Sequence, residues 1–201
     1  MKNTPLEFWD ARYAEDDFAY GTQPNTFFKS TLDSLPTGTV LLPAEGEGRN
    51  AVYAASKGWT AHAFDISLKG KEKALQLANM KAVTIDYDIS GVLEFQTDKT
   101  FDAIALCYTH FPADMRKQAH QHILKFLKQG GTLIFECFAK AQLQYSSGGP
   151  KNEDMLFSIE EIKAEFKGLK FTLLEEQTIE LSEGSYHIGK AQVIRCIGVK
   201  I

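Results

Sequence analysis

The sequence predicts an α/β protein whose mostly parallel sheet is covered by helices on both faces. Short apolar segments alternate with amphipathic ones after Gly38, as expected of strands joined by crossover helices. After residue 170 two strand-like segments follow one another directly, which predicts an antiparallel hairpin. The 201 residues, 44% of them hydrophobic and 24% charged, suit a single globular domain. We therefore expect one domain over residues 1–201.

The individual elements follow from periodicity and from turn residues. Residues 1–37 predict a helical cap, in which Pro5 opens a first short helix and Pro24 precedes a second. Residues 38–201 predict the core. Its strands are expected at 39–42, 59–64, 82–85, 101–107, 132–138, 171–181 and 187–200, and its helices at 48–57, 67–80, 112–128 and 158–166. The long segment 139–157 is typical of a lid over a site.

Charge and cysteine content exclude several classes of protein. The formal net charge is −4 and no basic run occurs, so we expect no nucleic-acid partner. The three cysteines lie in apolar runs without a CxxC spacing, which excludes zinc ribbons and suits buried thiols in a reducing cytoplasm. No run reaches the ~18 apolar residues of a membrane span, and the N-terminus lacks a signal-peptide core. The expectation is a cytoplasmic protein without a metal site or membrane partner.

The strongest local motif is Pro43-Ala44-Glu45-Gly46-Glu47-Gly48-Arg49-Asn50, between the first strand and its helix. Glycines at this position let the backbone approach a ligand, and the helix N-terminus favours negative charge. Asp65 ends the next predicted strand, where a carboxylate can accept two hydrogen bonds from a ribose diol. This spacing is that of the nucleoside-binding first half of a doubly wound fold.

Two alternatives remain open at this point. The run from Gly46 to Ala51 also satisfies GxGxxG/A, with Asp65 near the expected ~20 residues further on, so an NAD(P)-dependent oxidoreductase fits. Against it stand the three residues between the strand and the first glycine, the terminal hairpin and the aromatic N-terminal helix. A nucleoside-cofactor-binding module without catalysis is the second alternative.

Four longer segments resemble a known family. They are FWDARYAEDDFAYGTQPNTFF, VLLPAEGEGRNAVYAASKGWTAHAFDIS, FDAIALCYTHFP and LKQGGTLIFECF. In this order they resemble class I S-adenosylmethionine-dependent methyltransferases, of the small-molecule branch similar to tellurite-resistance and thiopurine methyltransferases. The resemblance implies a Rossmann-like, doubly wound, mostly parallel seven-stranded sheet with a C-terminal antiparallel hairpin and an N-terminal helical cap. It also implies methyl transfer to a small molecule, such as a thiol or chalcogen compound, by a monomer or homodimer.

The same resemblance implies a set of residues that bind S-adenosylmethionine. They are Trp9, Arg12, Tyr20, Gly21, Glu45, Gly46, Gly48, Asn50, Asp65, Ile66, Asp88, Ile89 and Cys107. Among them Asp65 would hold the ribose, Asp88 the adenine amino group, and Ile66 and Ile89 the adenine ring. The chain departs from the family pattern where Leu42 replaces an acid and Ala44 replaces the first glycine. Glu45 would then meet the ammonium group of the cofactor.

Two of the five histidines are candidate general bases. His110 follows the fourth predicted strand at the carboxyl edge of the sheet, where ligands of such sheets bind. His187 lies at the end of the hairpin. An oxygen or nitrogen acceptor would need such a base, whereas a thiolate or reduced chalcogen would not. His120 and His122 point to different faces of one helix and are expected in solvent rather than on a metal.

Overall fold

The computed structural model describes residues 4–201 and has a seven-stranded sheet at its centre. The strands are β1 (Thr39–Pro43), β2 (Thr60–Asp65), β3 (Asp86–Ile89), β4 (Phe101–Cys107), β5 (Leu127–Phe138), β6 (Leu169–Glu183) and β7 (His187–Lys200). Their order is β3-β2-β1-β4-β5-β7-β6. The first five strands run parallel, and β7 pairs antiparallel with both β5 and β6. The predicted doubly wound sheet with a terminal hairpin is confirmed.

Six α-helices within residues 4–201 surround the sheet. They are α1 (Pro5–Tyr13), α2 (Thr26–Leu32), α3 (Arg49–Ser56), α4 (Leu68–Met80), α5 (Ala113–Leu124) and α6 (Ile159–Glu165). Ser158 and Glu161 form the capping box at the start of α6 that their spacing predicts. Residues 1–3 of the predicted cap lie outside the described residues. None of the helices within residues 4–201 is long and apolar enough to cross a membrane.

Apolar side chains cover the sheet on both faces. One cluster packs α5 and α6 against the sheet and includes Phe64, Phe95, Leu106, Ile123, Phe135 and Ile162. The other packs α2, α3 and α4 against the opposite face and includes Phe28, Leu32, Leu42, Val52, Ala63 and Leu77. A parallel sheet needs this double covering because its strands are apolar on both sides. The carboxyl ends of the parallel strands therefore remain as the edge where a ligand can bind.

Strand β3 begins later than the sequence predicts. Residues 82–85 were expected as a strand, but Ala82 has a φ of 53° and ends the turn after α4. The amide of Val83 donates to the carbonyl of Ala78, so the helix end takes up this segment. Pairing with β2 starts at Asp86 instead. The helix C-terminus thus displaces the strand by four residues.

The boundary between α5 and β5 also differs from the expected one. Helix α5 ends at Leu124 instead of residue 128, and β5 already begins at Leu127. Gly130 and Gly131 lie inside this strand, where the pairing with β4 shifts between Phe101 and Ala103. Gly130 has a φ of 75°, which an irregular strand tolerates best in glycine. The two glycines therefore bend the strand and do not stop the helix.

Candidate functional site

Every second residue of the glycine loop has a left-handed backbone, although alanine takes the place of the first glycine of the family pattern. Ala44, Gly46 and Gly48 all have left-handed φ values, of 50°, 61° and 82°. Between them, Glu45 accepts hydrogen bonds from the amides of Asn50 and Ala51, both at 2.8 Å, and so caps the N-terminus of α3. Burial raises the pKa of Glu45 to about 7, although these hydrogen bonds to the carboxylate act to lower it. The loop acid therefore supports the helix start, and its role toward an ammonium group stays a prediction.

Asp65 joins the glycine loop to the end of β2. Its Oδ2 accepts from the amide of Gly46 at 3.0 Å and its Oδ1 from the amide of Ser67 at 2.9 Å. Burial raises the pKa of Asp65 to about 6, although these backbone bonds oppose the shift. The residue is only 5% exposed, so ribose hydroxyls can reach it only if a covering group moves. Its ribose role stays a prediction.

Helix α1 lies over this loop. The ring of Tyr13 is buried against Gly46, where an added Cβ would come within 2.4 Å of the Tyr13 hydroxyl. Asp10 accepts from the hydroxyl of Ser67, and this bond docks α1 on the start of α4. The predicted cofactor residue Trp9 stacks on this ring of Tyr13, at 5.4 Å between centroids. Tyr13 is thus a side chain of the cap that contacts the glycine loop directly.

The predicted adenine residues form an open edge beside β2 and β3. Ile89 is 45% exposed, and Leu68, which was not among the predicted residues, is 52% exposed. Ile66 directly follows β2 and is half-buried. The predicted partner of the amino group, Asp88, lies with its Oδ2 2.7 Å from Nε2 of His62. Exposed apolar side chains next to a carboxylate fit an adenine ring, so these residues suit the nucleoside cofactor.

The remaining cap residues contact the tip of the β6–β7 hairpin. Arg12 donates to the hydroxyl of Tyr20 at 3.2 Å, and its guanidinium lies 3.6 Å from the ring centroid of Tyr186. An added Cβ on Gly21 would lie 3.2 Å from the amide nitrogen of Gly184. The cap is therefore closed against the hairpin. The cofactor-binding role expected of Arg12 stays a prediction.

A buried polar network that sequence reasoning missed lies beneath this contact. Glu136 in β5 is fully buried and accepts from Nδ2 of Asn25 at 2.6 Å, from the hydroxyl of Tyr108 at 2.8 Å and from Nε of Arg195. The signal that could have revealed it is a glutamate inside the apolar run FECF, because an unpaired charge is rarely buried. The network ties the cap to β5, to β7 and to the residue that follows β4.

The predicted base His187 lies in an aromatic environment above this network. Its ring centroid is 4.6 Å from that of Tyr20, 4.5 Å from that of Tyr108 and 5.3 Å from that of Phe138. Burial lowers the pKa of His187, although its contact with a glutamate opposes the shift. An added Cβ on Gly148 would lie 2.6 Å from the imidazole Cδ2. The segment predicted as a lid therefore packs directly on His187.

The carboxyl end of β4 carries two buried polar atoms without partners. Tyr108 has a φ of 54°, a conformation that costs an aromatic residue energy and is concentrated at functional sites. Within residues 4–201, neither Oγ1 of Thr109 nor Nε2 of His110 has a hydrogen-bond partner. Nδ1 of His110 lies 2.8 Å from the carbonyl oxygen of Met155. Burial lowers the pKa of His110 to about 4 and raises that of the preceding thiol, Cys107, well above its usual range.

The expected residues thus fall into separate groups around one edge of the sheet. Glu45, Gly46, Gly48, Asn50 and Asp65 lie together at the glycine loop, whereas Arg12, Tyr20, Gly21 and His187 lie together at the hairpin tip. The sequence signals did not reveal the contributions of Asn25, Glu136, Glu183 and Thr109. In the part of the chain that the structure describes, no group of three or more His, Cys, Asp or Glu side chains is placed to hold a metal ion.

His120 and His122 are less exposed than the solvated helix face that was predicted for them. His120 is fully buried, with Nδ1 2.8 Å from Oε2 of Glu165 and its ring stacked on Phe166 at 4.4 Å. His122 is half-buried and lies with Nε2 2.8 Å from the carbonyl oxygen of Phe95. The prediction of a solvated helix face is wrong for His120, because α6 packs over that side of α5.

Comparison with known proteins relates the first half of the core to a family model. Residues 40–131 match the family model described as a methyltransferase domain, a range that contains the glycine loop and Asp65. A search of curated protein sequences finds no match. The match to a methyltransferase domain supports S-adenosylmethionine over a nicotinamide cofactor.

Solved structures share the fold across nearly the whole chain. One similar structure carries the description "Conversion of a Disulfide Bond into a Thioacetal Group during Echinomycin Biosynthesis". Its TM-score is 0.78 at 14% identity, and the alignment covers 98% of this chain and 92% of that one. TehB from Haemophilus influenzae is similar with a TM-score of 0.71 at 13% identity, covering 98% and 67%. The N-methyltransferase NodS from Bradyrhizobium japonicum WM9 in complex with S-adenosyl-L-homocysteine reaches 0.70 at 16% identity, covering 97% of each chain. In its fold and in the matched domain, the chain is similar to class I S-adenosylmethionine-dependent methyltransferases.

Proposed function

We propose that this methyltransferase acts on a small thiol or chalcogen compound held at the carboxyl end of β4. The observation that carries the proposal is the pair of buried, unpartnered atoms there among residues 4–201, Oγ1 of Thr109 and Nε2 of His110. Buried polar atoms in folded proteins are nearly always hydrogen-bonded, so two neighbouring exceptions favour a ligand position. The left-handed backbone of Tyr108 between Thr109 and the end of β4 supports the same assignment.

The surroundings suit a small, weakly charged acceptor. The rings of Tyr108, Phe138 and His187 lie within 5.3 Å of one another between centroids, and His110 stacks on Phe138 at 5.7 Å. Such walls exclude water, which would otherwise solvate the acceptor and compete for hydrogen bonds. The segment around Gly148 covers His187 and can serve as the lid over this place.

The protein supplies position together with a weak base. When bound, S-adenosylmethionine carries an electrophilic methyl group on its sulfonium, so the chain needs mainly to align the acceptor with it. Burial lowers the pKa of both His110 and His187, the former to about 4. Imidazoles of such low pKa are weak bases. This supports a sulfur or selenium acceptor, which gives up its proton readily on methylation, over an alkyl ammonium group that must lose its proton first.

The predicted cofactor residues are assigned as part of this proposal. Asp65 would hold the ribose hydroxyls, and Asp88, positioned by His62, the adenine amino group. Gly46 and Gly48 would let the loop pass close to the methionine part. Asn50 and the backbone of Cys107 would lie toward the same part, at the carboxyl ends of β1 and β4. These assignments follow the order of the residues along the sheet edge.

Two experiments test the proposal. S-adenosyl-L-homocysteine should raise the melting temperature of the protein, because a ligand that binds only the folded state stabilises it by mass action. NADH, the matched control ligand, should leave it unchanged. Turnover is then measured with three kinds of acceptor: neutral thiols, chalcogen oxyanions, and amines or phenols. Methylation of amines or phenols alone would contradict the proposed acceptor class, and no thermal shift at millimolar S-adenosyl-L-homocysteine would contradict the cofactor assignment.

A further inference from the structure

Three successive carbonyl groups of one loop are held by two side chains. We call residues 152–157 the Met155 loop. Arg116 in α5 donates through Nη1 to the carbonyls of Asp154 at 3.1 Å and Leu156 at 2.9 Å. Between them, the carbonyl of Met155 faces Nδ1 of His110 at 2.8 Å. The orientation of the loop that contacts His110 therefore depends on Arg116.

Arg116 is itself fixed in place. Its Nε and Nη2 donate to Oε1 of Glu165 at 2.9 and 2.7 Å, and its guanidinium lies 4.5 Å from the ring centroid of Phe157. The residue is only 5% exposed. A guanidinium is a rigid planar fork, so a carboxylate on one side sets the direction of the donors on the other. The two loop carbonyls are consequently held at defined positions.

The carbonyl of Met155 determines which imidazole nitrogen of His110 carries the proton. A carbonyl oxygen only accepts hydrogen bonds, so Nδ1 must be the donor, and neutral imidazole then has a bare Nε2. That Nε2 is the buried atom without a partner among residues 4–201, next in the chain to the unpartnered hydroxyl of Thr109. A bare nitrogen accepts a hydrogen bond and repels an anion.

We propose that Arg116 is a positioning residue for methyl transfer, which holds the Met155 loop so that His110 keeps a bare Nε2 toward the acceptor. This inference rests on one part of the proposed function, namely that the acceptor binds at the carboxyl end of β4. It narrows the acceptor to a neutral X–H group, such as a thiol or selenol, because a thiolate or oxyanion would face the nitrogen lone pair. Among the thiol and chalcogen compounds proposed above, this favours the protonated ones.

The reaction of a neutral thiol then balances as follows. The acceptor sulfur forms a bond to the methyl group, the bond between that methyl and the cofactor sulfonium breaks, and its electron pair stays on the cofactor sulfur. The acceptor's proton moves to Nε2 of His110 and from there to solvent. The products are a methyl thioether and S-adenosylhomocysteine.

The first test reads the imidazole directly. In ¹⁵N-labelled protein with S-adenosyl-L-homocysteine, the ring nitrogens of His110 should show the Nδ1–H tautomer, with assignment by comparison with His110→Gln. Addition of benzyl mercaptan, a thiol that is neutral at pH 7, should shift the Nε2 resonance as it accepts a hydrogen bond. An Nε2–H tautomer in the wild-type protein would overturn the proposal without any measurement of turnover.

The second test separates positioning from stability. Arg116→Lys keeps a cation beside Glu165 but cannot reach both loop carbonyls, so we expect mixed His110 tautomers and at least a tenfold lower kcat/KM for benzyl mercaptan, with unchanged affinity for S-adenosyl-L-homocysteine. The control His120→Gln loses the other bond to Glu165. It should lower the melting temperature while tautomer and kcat/KM stay as in wild type.

Each outcome bears on one claim. A single tautomer and unchanged kcat/KM in Arg116→Lys would overturn the positioning role, and so would equal losses in Arg116→Lys and His120→Gln. Preference for thiophenol, which is largely a thiolate at pH 7, over benzyl mercaptan would overturn the neutral acceptor. Absence of S-adenosyl-L-homocysteine binding in the wild-type protein would instead contradict the proposed function, while the tautomer measurement still decides the geometry.

Discussion

Nη2 of Arg49 lies 2.9 Å from Oε2 of Glu183, and this ion pair joins the first residue of α3 to the last residue of β6 across 134 positions of sequence. Both side chains are nearly buried, with 9% and 11% exposed. Arg49 also donates to the carbonyl of Tyr20 at 3.2 Å. The pair therefore holds the glycine-loop helix, the cap and the hairpin tip together, on the three sides of the candidate site.

Replacing Glu183 by Gln should lower the free energy of unfolding by about 3 kcal/mol. This is the lower end of the range found when one partner of a buried ion pair is removed. Glu180→Gln is the matched control, since Glu180 lies in the same strand but is exposed. It should change stability by less than about 0.5 kcal/mol. Urea unfolding at pH 7 measures both. Equal effects of the two substitutions would show that the ion pair contributes nothing measurable.

The same pair predicts how stability depends on pH. Burial would raise the pKa of Glu183, but the hydrogen bond from His187 and the charge of Arg49 outweigh it and lower the pKa from 4.5 to about 2. A carboxyl group with a lowered folded-state pKa stabilises the protein above its unfolded value and loses this effect as the pH falls. Wild type should therefore lose more stability than Glu183→Gln between pH 4.5 and pH 2. Parallel curves for the two proteins over this range would contradict the assignment.

Ala44 should be a site where glycine stabilises the protein. Its φ of 50° is unfavourable for a residue with a Cβ, by roughly 1–2 kcal/mol, and the greater freedom of glycine in the unfolded chain offsets part of that. We expect Ala44→Gly to gain up to about 1 kcal/mol. The control Ala51→Gly, inside α3, should lose about 1 kcal/mol. Urea midpoints of the two variants test this, and a loss in both would contradict the strain at Ala44.

Removal of the Asp65 carboxylate should weaken cofactor binding. If the residue accepts hydrogen bonds from ribose, Asp65→Ala should reduce the affinity for S-adenosyl-L-homocysteine by about 1.5–3 kcal/mol, or roughly ten- to 150-fold. Calorimetric titration of the folded variant measures the change. The exposed acid Asp98 provides the control, since Asp98→Ala should bind as wild type does. Wild-type affinity in folded Asp65→Ala would leave that carboxylate as only a support of the glycine loop.

Local sequence patterns were enough to predict the order of the elements and the position of the glycine loop. The distance from Gly46 to Asp65 is set by one strand–helix–strand unit, and their contact at 3.0 Å follows from that unit alone. The start of β3 was misplaced because Ala82 adopts a left-handed conformation that an alanine seldom shows. Apolar periodicity does not distinguish a strand from the connection that precedes it when both are short.

The polar pairs of the site could not be predicted in the same way. Asn25 and Glu136 are 111 positions apart, and Arg116 and Glu165 are 49 apart, so only the folded sheet brings them together. What the sequence does show is a charged residue within an apolar run, which calls for a partner without naming it. For that reason His110 could be placed at the carboxyl edge from the sequence, but its bond to Met155 could not.

The two candidate histidines should behave differently when each is replaced by Gln. His110 presents its bare Nε2 at the end of β4, so with a neutral thiol acceptor its loss should lower kcat/KM by about 10²–10⁴-fold, as expected of a lost general base. His187 already contacts Glu183 through Nδ1 at 3.4 Å, so its replacement should leave kcat/KM within about tenfold of the wild-type value. Affinity for S-adenosyl-L-homocysteine should be unchanged in both variants. Steady-state kinetics with benzyl mercaptan measure the contrast.

The pH dependence of kcat/KM gives the decisive form of this prediction. Burial is the largest cause that lowers the pKa of His110 to about 4, and His187, Arg116 and His120, the charged or titratable groups around it, add to the shift. A base acts in its neutral form, so activity should fall only as the pH drops through about 4, well below the ordinary histidine value of about 6.5. His110→Gln should abolish this acidic limb. The double variant, in which Gln replaces both histidines, tests the alternative. If its kcat stays within about tenfold of the wild-type value and the acidic limb of the pH profile persists, the acceptor enters as a soft anion and no histidine takes its proton.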